Sequence, residues 1–365
     1  DELGKCDLLF GNNETVLTAR TRQFFQKAYS IRSPRASADY LVKAGFDIVH
    51  LANNHIFDFG VDGVRDTLDE LAGRSIAHLG VGLSEAEAAA HVVIEKNGLH
   101  VGFIGVGNCE KRIEEYGVPA FAYTIEADGL GERISSLRQE ADIVVVSAHW
   151  DNECIDLPHP KVQALARKLI DAGADLILGH HPHIPHGIER YKQGVIAYSL
   201  GNFQFKCDLR PELDYSFILS VELSQKGVGG YKLIPVMVQA DSRPKLADER
   251  EAETILRFIE NVSTPLARGI TVEMFEEAAC EPFFKDNLDA WAKRIDEYGE
   301  AHWLQCMQWL GDPERAHRFW LLARKKQWTL HDLIESLGIA IKPVKAVMFG
   351  NSSEEQASPR VRRKR

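Results

Sequence analysis

The sequence predicts an α/β layered fold followed by an all-helical C-terminal extension. Three observations carry that expectation. From residue 1 to about 245, short apolar runs alternate with helix-like segments. The apolar runs are nearly continuous in Val, Ile and Leu, as in strands covered on both faces. Beyond about residue 245 the patterning becomes helical. Residues 1–245 are therefore expected to form the α/β domain, 246–350 a helical extension, and 351–365 a disordered basic tail.

In chain order the expected strands are "CDLLF", "FDIVHL", "HVGFIGV", "DIVVVSA", "DLILG" and "VIAYSL". Helices are expected over "VDGVRDTLDELAGRS" and "HPKVQALARKLIDAGA"; the second places Val162, Leu165, Leu169 and Ile170 on one stripe. "YSFILSVELS" and "YKLIPVMVQA" read as an antiparallel pair joined through "QKGVGG". In the extension, Trp303, Cys306, Met307 and Leu310 form a core-facing stripe. Asp312-Pro313 reads as an N-cap with Pro at the first helical position, and "TLHD" at 329–332 resembles a capping box.

Composition narrows the function classes. The chain has 365 residues, 45% hydrophobic and 26% charged, as an ordinary globular protein does. A formal net charge of −10 argues against a general nucleic-acid binder. The six cysteines are dispersed and form no CxxC pair, so neither a disulfide framework nor a cysteine zinc site is expected. They read as reduced thiols of a cytosolic-type protein. No apolar run approaches the ~18 residues that suggest a membrane span, and no signal-peptide pattern is visible.

The chemistry collects where strands end. "DLLF" runs into Asn12, Asn13 and Glu14; "DIVHLA" into Asn53, Asn54 and His55; "DIVVVSA" into His149; "DLILG" into "HHPH"; and "VIAYSLG" into Asn202. Consecutive parallel strands bring such ends to one edge of a sheet. Taken singly, an Asn there is turn chemistry, a Glu a solvated carboxylate and a His a structural group. The recurrence of one arrangement is the signal. Together these groups offer nitrogen and oxygen donors without thiolate, a set suited to Mn, Fe or Zn. They could hold two divalent ions ~3.5–4 Å apart. If "HHPH" is extended, as Pro182 favours at His181, then His181 and His183 point to one side and His180 to the other. His180 is then a supporting group, and His186 is read as incidental.

Five motifs stand in the order and spacing of a known family: "DLLFGNNETVLT", "AGFDIVHLANNHIFDFGVDGVRDTL", "VVVSAHWDNE", "LARKLIDAGADLILGHHPHIPHGIERYK" and "IAYSLGNFQF". They resemble the CapA proteins of poly-γ-glutamate capsule synthesis, which have a calcineurin-like metallophosphoesterase fold, and they cover most of residues 5–210. The resemblance implies a layered sheet sandwich flanked by helices. It implies Glu14 as a bridging carboxylate, Asn54, His149, His181 and His183 as further metal ligands, and His55 as the group that protonates a leaving oxygen. Asp58 and Glu153 match family positions and are read, with Asn12, Asn53, His180 and Asn202, as groups facing substrate or supporting the ligands.

The departures matter as well. CapA proteins begin with a strand leading into a Gly-Asp motif whose Asp binds metal, and nothing before "CDLLF" supplies it. The expectation is that the native chain begins earlier. Asp151, Cys154 and Asn13 stand where the family usually has Gly, an aromatic and an apolar residue. The implied function is synthesis or export of poly-γ-glutamate through a dinuclear-metal hydrolase acting on a phosphoester or γ-glutamyl-type substrate. The alternative is a non-catalytic assembly or polymer-binding component with a degenerate metal site. Implied partners are an anionic small molecule or polymer and other capsule-synthesis components. Family members are often tethered outside the cell by an N-terminal segment, so localisation is left open.

Overall fold

A computed structural model describes residues 2–279, apart from 26, 28, 127, 208 and 209. The helical stripe at 303–310, the caps at 312 and 329, and the basic tail lie outside the described residues.

The first strand, β1 (Phe10–Asn12), starts later than "CDLLF" suggests. Leu9 N–H donates to the Asp47 carboxylate at 2.8 Å, and Leu9 C=O accepts from Asp47 N–H at 3.0 Å. Residues 6–8 bend instead of joining a ladder, so their apolar pattern is not spent on a strand. β2 (Val16–Leu17) and β3 (Arg32–Ser33) form a short parallel pair. Next come α1 (Ala38–Ala44) and β4 (Ile48–His50), which lies parallel to β1 with Asn12 opposite His50. A tight turn leads into α2 (Gly60–Ala72), and β5 (Ala77–Leu79) completes the sheet β1–β4–β5.

A small antiparallel sheet follows, in which β10 (Val118–Ala122) pairs with β6 (Val81–Gly82) and with β9 (Arg112–Glu115). Around it lie α3 (Glu85–Ala88), β7 (Val92–Lys96) and β8 (Leu99–Gly107). β7 and β8 form a hairpin across Asn97-Gly98, whose φ values of 53° and 75° fit the left-handed turn that Asn-Gly favours. After α4 (Leu130–Leu137) the chain builds β11 (Ile143–His149), α5 (Pro160–Asp171), β12 (Leu176–His180), β13 (Ile188–Tyr191) and β14 (Gly194–Ala197). The main sheet has the order β13–β14–β12–β11–β8–β7. Its inner strands β14, β12, β11 and β8 are parallel, as their unbroken apolar sequences require.

α5 is rotated from its expected stripe. Leu169 and Ile170 are buried, but Gln163 and Ala166 take the inner places instead of Val162 and Leu165. Gln163 turns inward because its amide donates to Leu266 O at 2.9 Å and accepts from Ile270 N–H at 2.7 Å. Tertiary hydrogen bonding overrides the hydrophobic period there.

β15 (Tyr215–Ser224) and β16 (Gly227–Val238) form the expected hairpin, with β17 (Pro244–Leu246) beyond it. The connection is shorter than "QKGVGG": Gly227 already pairs with Ser224, and a register irregularity between Val221 and Leu223 absorbs the extra residues. α6 (Glu249–Ser263) starts at a capping box in which Asp248 and Glu251 satisfy each other's backbone N–H. Its inner residues Ile255 and Ile259 join Phe103, Val145, Leu176 and Phe217 in one buried cluster. Replacing Ile259 with Ala is expected to cost about 2–5 kcal/mol, read as a lower urea midpoint at unchanged slope. A loss under about 1 kcal/mol would mean that α6 is not integral to this core.

β1 and β15 are edge strands of their sheets. Both line a cavity of about 930 Å³ floored by Val101, Phe103, Val145 and Leu178. One end of it reaches Glu14, His181 and His183.

Candidate metal centre

The C-terminal ends of β1, β4, β11 and β12 meet at one place. Glu14 lies two residues beyond β1, Asn54 and His55 follow β4, His149 ends β11, and His181 and His183 follow β12. The ladders put Asn12 opposite His50 and His149 opposite His180, which fixes how these ends align.

Potential ligand atoms of Glu14, His149 and His181 all fall within 4.8 Å of one another, and so do those of Glu153, His181 and His183. Glu14 Oε1 is 3.6 Å from His149 Nε2 and 3.9 Å from His183 Nε2. Asn54 Oδ1 stands 2.9 Å from His149 Nε2. Asn12 steers the carboxylate, donating from Nδ2 to Glu14 Oε2 at 3.1 Å. Asn202 Oδ1 accepts from His183 Nδ1–H at 2.8 Å, while its own Nδ2–H donates to Leu213 O. That bond selects the tautomer in which His183 Nε2 carries a free lone pair.

His55 is held from behind. Its Nδ1–H donates to Asp58 Oδ2 at 2.7 Å, and its backbone N–H donates to Asn53 Oδ1 at 3.1 Å. Asn53 also donates to Asn13 O, locking the turn after β4 onto the segment after β1. Asp58 is fully buried and accepts further from Lys27 Nζ at 2.7 Å and Ile31 N–H at 2.8 Å. Lys27 also donates to the Asn54 carbonyl. Nothing in "QFFQKAYS" marks Lys27 as a member of this network, and sequence reading missed it.

The "HHPH" segment differs from the extended geometry expected for it. His181 and His183 have φ values of 98° and 61°, in the left-handed region where residues with a Cβ are strained. Both imidazoles reach the centre all the same, with ring centroids 5.9 Å apart. His180 is buried, 3.2 Å from Ser147 Oγ through Nε2, and its ring lies 5.9 Å from that of His50. His50, a lone histidine inside the apolar run "FDIVHL", stacks in turn near His149 at 6.5 Å. Sequence reading passed over it, although a histidine in a doubly covered strand was a visible signal. His186 is buried and donates from Nε2 to Ile155 O at 2.6 Å, a structural bond.

Burial sets the charge state. It pushes the Glu14 carboxyl above its ordinary range, against the opposing influence of His183 and His55. It holds His149 well below the ordinary imidazole value, and brings His181 down to about 4 despite the Glu153 carboxylate. These imidazoles are therefore neutral at pH 7 and present lone pairs. Glu14 Oε1, His149 Nδ1, His181 Nδ1 and Asn12 Oδ1 are buried without a hydrogen-bond partner among the described residues. The orphaned Glu14 Oε1, 3.6 Å from the Nε2 of neutral His149, is what a bound cation would satisfy. The residues fit a divalent ion of the Mn, Fe or Zn type. Cys109 and Cys154 fall in neither donor cluster, and burial pushes both thiols up to about 12.

Two histidines outside the ligand set give a pH dependence with a definite sign. Burial lowers His50 and His186 to about 4 from an ordinary 6.5. Between those values the unfolded chain binds more protons than the folded one, so stability rises with pH. Their contribution is complete above pH 6.5 and is lost as pH falls toward 4, roughly 3 kcal/mol for each. Urea midpoints of chelator-treated protein should drop from pH 7 to pH 5, and the drop should be shallower for His186→Gln. Equal slopes for both proteins would refute the assignment.

The fold and this pocket define a class: an α/β protein with an oxygen- and nitrogen-donor cluster at its strand ends that could hold a metal ion. A family model described as bacterial capsule synthesis protein PGA_cap matches residues 1–207. The chain is 32% identical over 260 residues to the PGA biosynthesis protein CapA of Bacillus subtilis, covering 69% of this chain and 67% of that protein. It is 30% identical to the capsule biosynthesis protein CapA of Bacillus anthracis, covering 70% of this chain and 64% of that one. This chain therefore belongs to the PGA_cap family of bacterial capsule synthesis proteins. Among solved structures, a putative 5'-nucleotidase of Staphylococcus aureus aligns with 18% identity and a TM-score of 0.40, covering 61% of this chain and 44% of that one. A hypothetical protein of Thermus thermophilus aligns with 17% identity and a TM-score of 0.42, covering 64% of this chain and 88% of that one. No helix of the described residues is long and apolar enough to cross a membrane.

Proposed function

We propose that this chain is a divalent-metal-dependent hydrolase of poly-γ-glutamate capsule synthesis or export, acting on an anionic phosphoester or γ-glutamyl-type substrate. The observation that carries the reading is the buried, unpartnered Glu14 Oε1 flanked by the imidazoles of His149 and His183. Glu14, Asn54, His149, His181 and His183 would hold two divalent ions. Bound there, the ions would supply Lewis-acid polarisation and activation of water at neutral pH.

The chain's own residues do the rest. Asp58 fixes the His55 tautomer with its proton on Nδ1, leaving Nε2 as the atom that holds or hands over a proton. Lys27 neutralises Asp58 from its far side and so keeps that carboxylate a pure acceptor. Asn202 and Asn12 orient His183 and Glu14. Asn53 ties the His55 turn to the segment that carries Glu14.

Metal analysis of the purified protein tests this. Stoichiometric Mn, Fe or Zn is expected, together with turnover of a generic phosphodiester or a γ-glutamyl anilide that a chelator abolishes and added metal restores. Absence of stoichiometric metal would refute the reading. Stoichiometric metal with no turnover on either substrate type would favour a non-catalytic assembly role within capsule synthesis.

A further inference from the structure

We propose that Glu153 is itself a metal ligand, completing with His181 and His183 a cation position distinct from the one formed by Glu14, Asn54 and His149. The proposal deepens the metal-dependent reading above and rests on it. It departs from the sequence expectation, in which Glu153 merely faces substrate.

The first observation is placement. Ligand atoms of Glu153, His181 and His183 lie within 4.8 Å of one another. Glu153 Oε1 stands 4.0 Å from His181 Nε2, too far for a hydrogen bond. Two donors sharing a cation at about 2.1 Å each come to rest roughly 3–4 Å apart. Among the described residues Glu153 pairs with no Lys or Arg, and its ion-pair contact is His181 at 4.0 Å. His183 contributes through Nε2, since its Nδ1 is committed to Asn202.

The second observation is how the loop is held. Residues 150–155 are tied to the histidine segment at three points. Trp150 N–H donates to His180 O at 3.1 Å, Cys154 N–H donates to Pro182 O at 2.8 Å, and Ile155 O accepts from His186 Nε2 at 2.6 Å. The Asp151 carboxylate pins the loop further by accepting from Asn152 N–H and His159 N–H, each at 2.9 Å. Asp151 and Cys154 take left-handed φ values of 73° and 61°, as His181 and His183 do across from them. These bonds hold the backbone that carries Glu153 at a fixed place beside the histidine segment.

The third observation is the partition of donors. Buried, unpartnered Glu14 Oε1 lies between His149 Nε2 and His183 Nε2, so it can reach both positions. His181 belongs to both donor clusters, and Glu153 is the carboxylate that only the second one has. Glu153 then gives the second position a carboxylate of its own beside the shared Glu14.

The test is metal stoichiometry and affinity on the full chain. Apo protein is titrated with Mn2+ by calorimetry, and bound metal is counted after desalting. Wild type should bind two ions per chain. Glu153→Gln should bind one, or bind the second at least about tenfold more weakly, and Glu153→Asp should recover part of the loss. In Mn2+ electron paramagnetic resonance the spin-coupled signal of the wild type should give way to an isolated six-line signal in Glu153→Gln. Glu153 is half exposed, so thermal melts of the apo proteins should coincide. Two ions bound by Glu153→Gln with unchanged affinities and a retained coupled signal would overturn the ligand role while leaving the metal-dependent reading intact. A wild-type chain that binds no Mn2+, Fe2+ or Zn2+ would overturn both.

Discussion

Replacing His55 with Ala is expected to lower turnover about 10²–10⁴-fold while the chain keeps its metal, the range for loss of a positioned general acid. The separation of the two effects follows from geometry. His55 is anchored through Nδ1 to Asp58 and lies outside both clusters of candidate ligand atoms. Its removal deletes a proton carrier and leaves Glu14, His149, His181 and His183 in place. The deletion should depress kcat more than it raises KM, because proton donation to a leaving oxygen matters in the transition state and little in the bound ground state. A substrate with a strongly acidic leaving group needs less protonation, and the defect should shrink on it. Unchanged kcat in His55→Ala, or parallel loss of metal and activity, would contradict the role. Asp58→Asn should give a smaller defect, since an amide can still orient the ring but no longer stabilises its charged form.

Much of this centre was legible from residue order. A continuous apolar run followed at once by Asn, Glu or His recurs after β1, β4, β11 and β12, and parallel strands carry those ends to one edge. The parts that were not legible depend on long-range contacts or backbone strain. Lys27 comes from the irregular segment between β2 and β3 and is held by the Asp58 carboxylate and the Asn54 carbonyl, both distant in sequence. The inward turn of Gln163 is set by partners more than a hundred residues away, Leu266 and Ile270. The strand expected over "CDLLF" failed because an apolar pattern records burial, whereas a strand also needs ladder partners, and Asp47 takes the Leu9 N–H. His181 and His183 come together, but not through the extended chain expected for them. Left-handed backbone at both residues delivers the rings to the same place by another route.

Gly179→Ala is expected to cost about 3 kcal/mol or more and to weaken metal binding with it. A Cβ at this position in β12 would sit 2.0 Å from Tyr198 O and 2.7 Å from Trp150 Nε1. Those two atoms are hydrogen-bonded to each other at 3.0 Å, and both residues are almost fully buried. Neither can retreat without opening the packing around the two largest fully buried side chains of the described residues. The strain would instead pass along β12, and the segment it displaces is the one whose next residues are His180, His181, Pro182 and His183. Leu200 N–H also bonds Gly179 O at 3.1 Å, so the approach to Asn202, which orients His183, would shift as well. Gly45→Ala is the matched control. Gly45 has a φ of 87° and open space where its Cβ would go, so its substitution should cost roughly 1–2 kcal/mol of backbone strain and leave metal affinity alone. Urea denaturation and Mn2+ titration of both variants read the two effects separately. Should Gly179→Ala match Gly45→Ala in stability and bind metal as wild type does, the close packing of Gly179 against Tyr198 and Trp150 is not what aims the paired histidines.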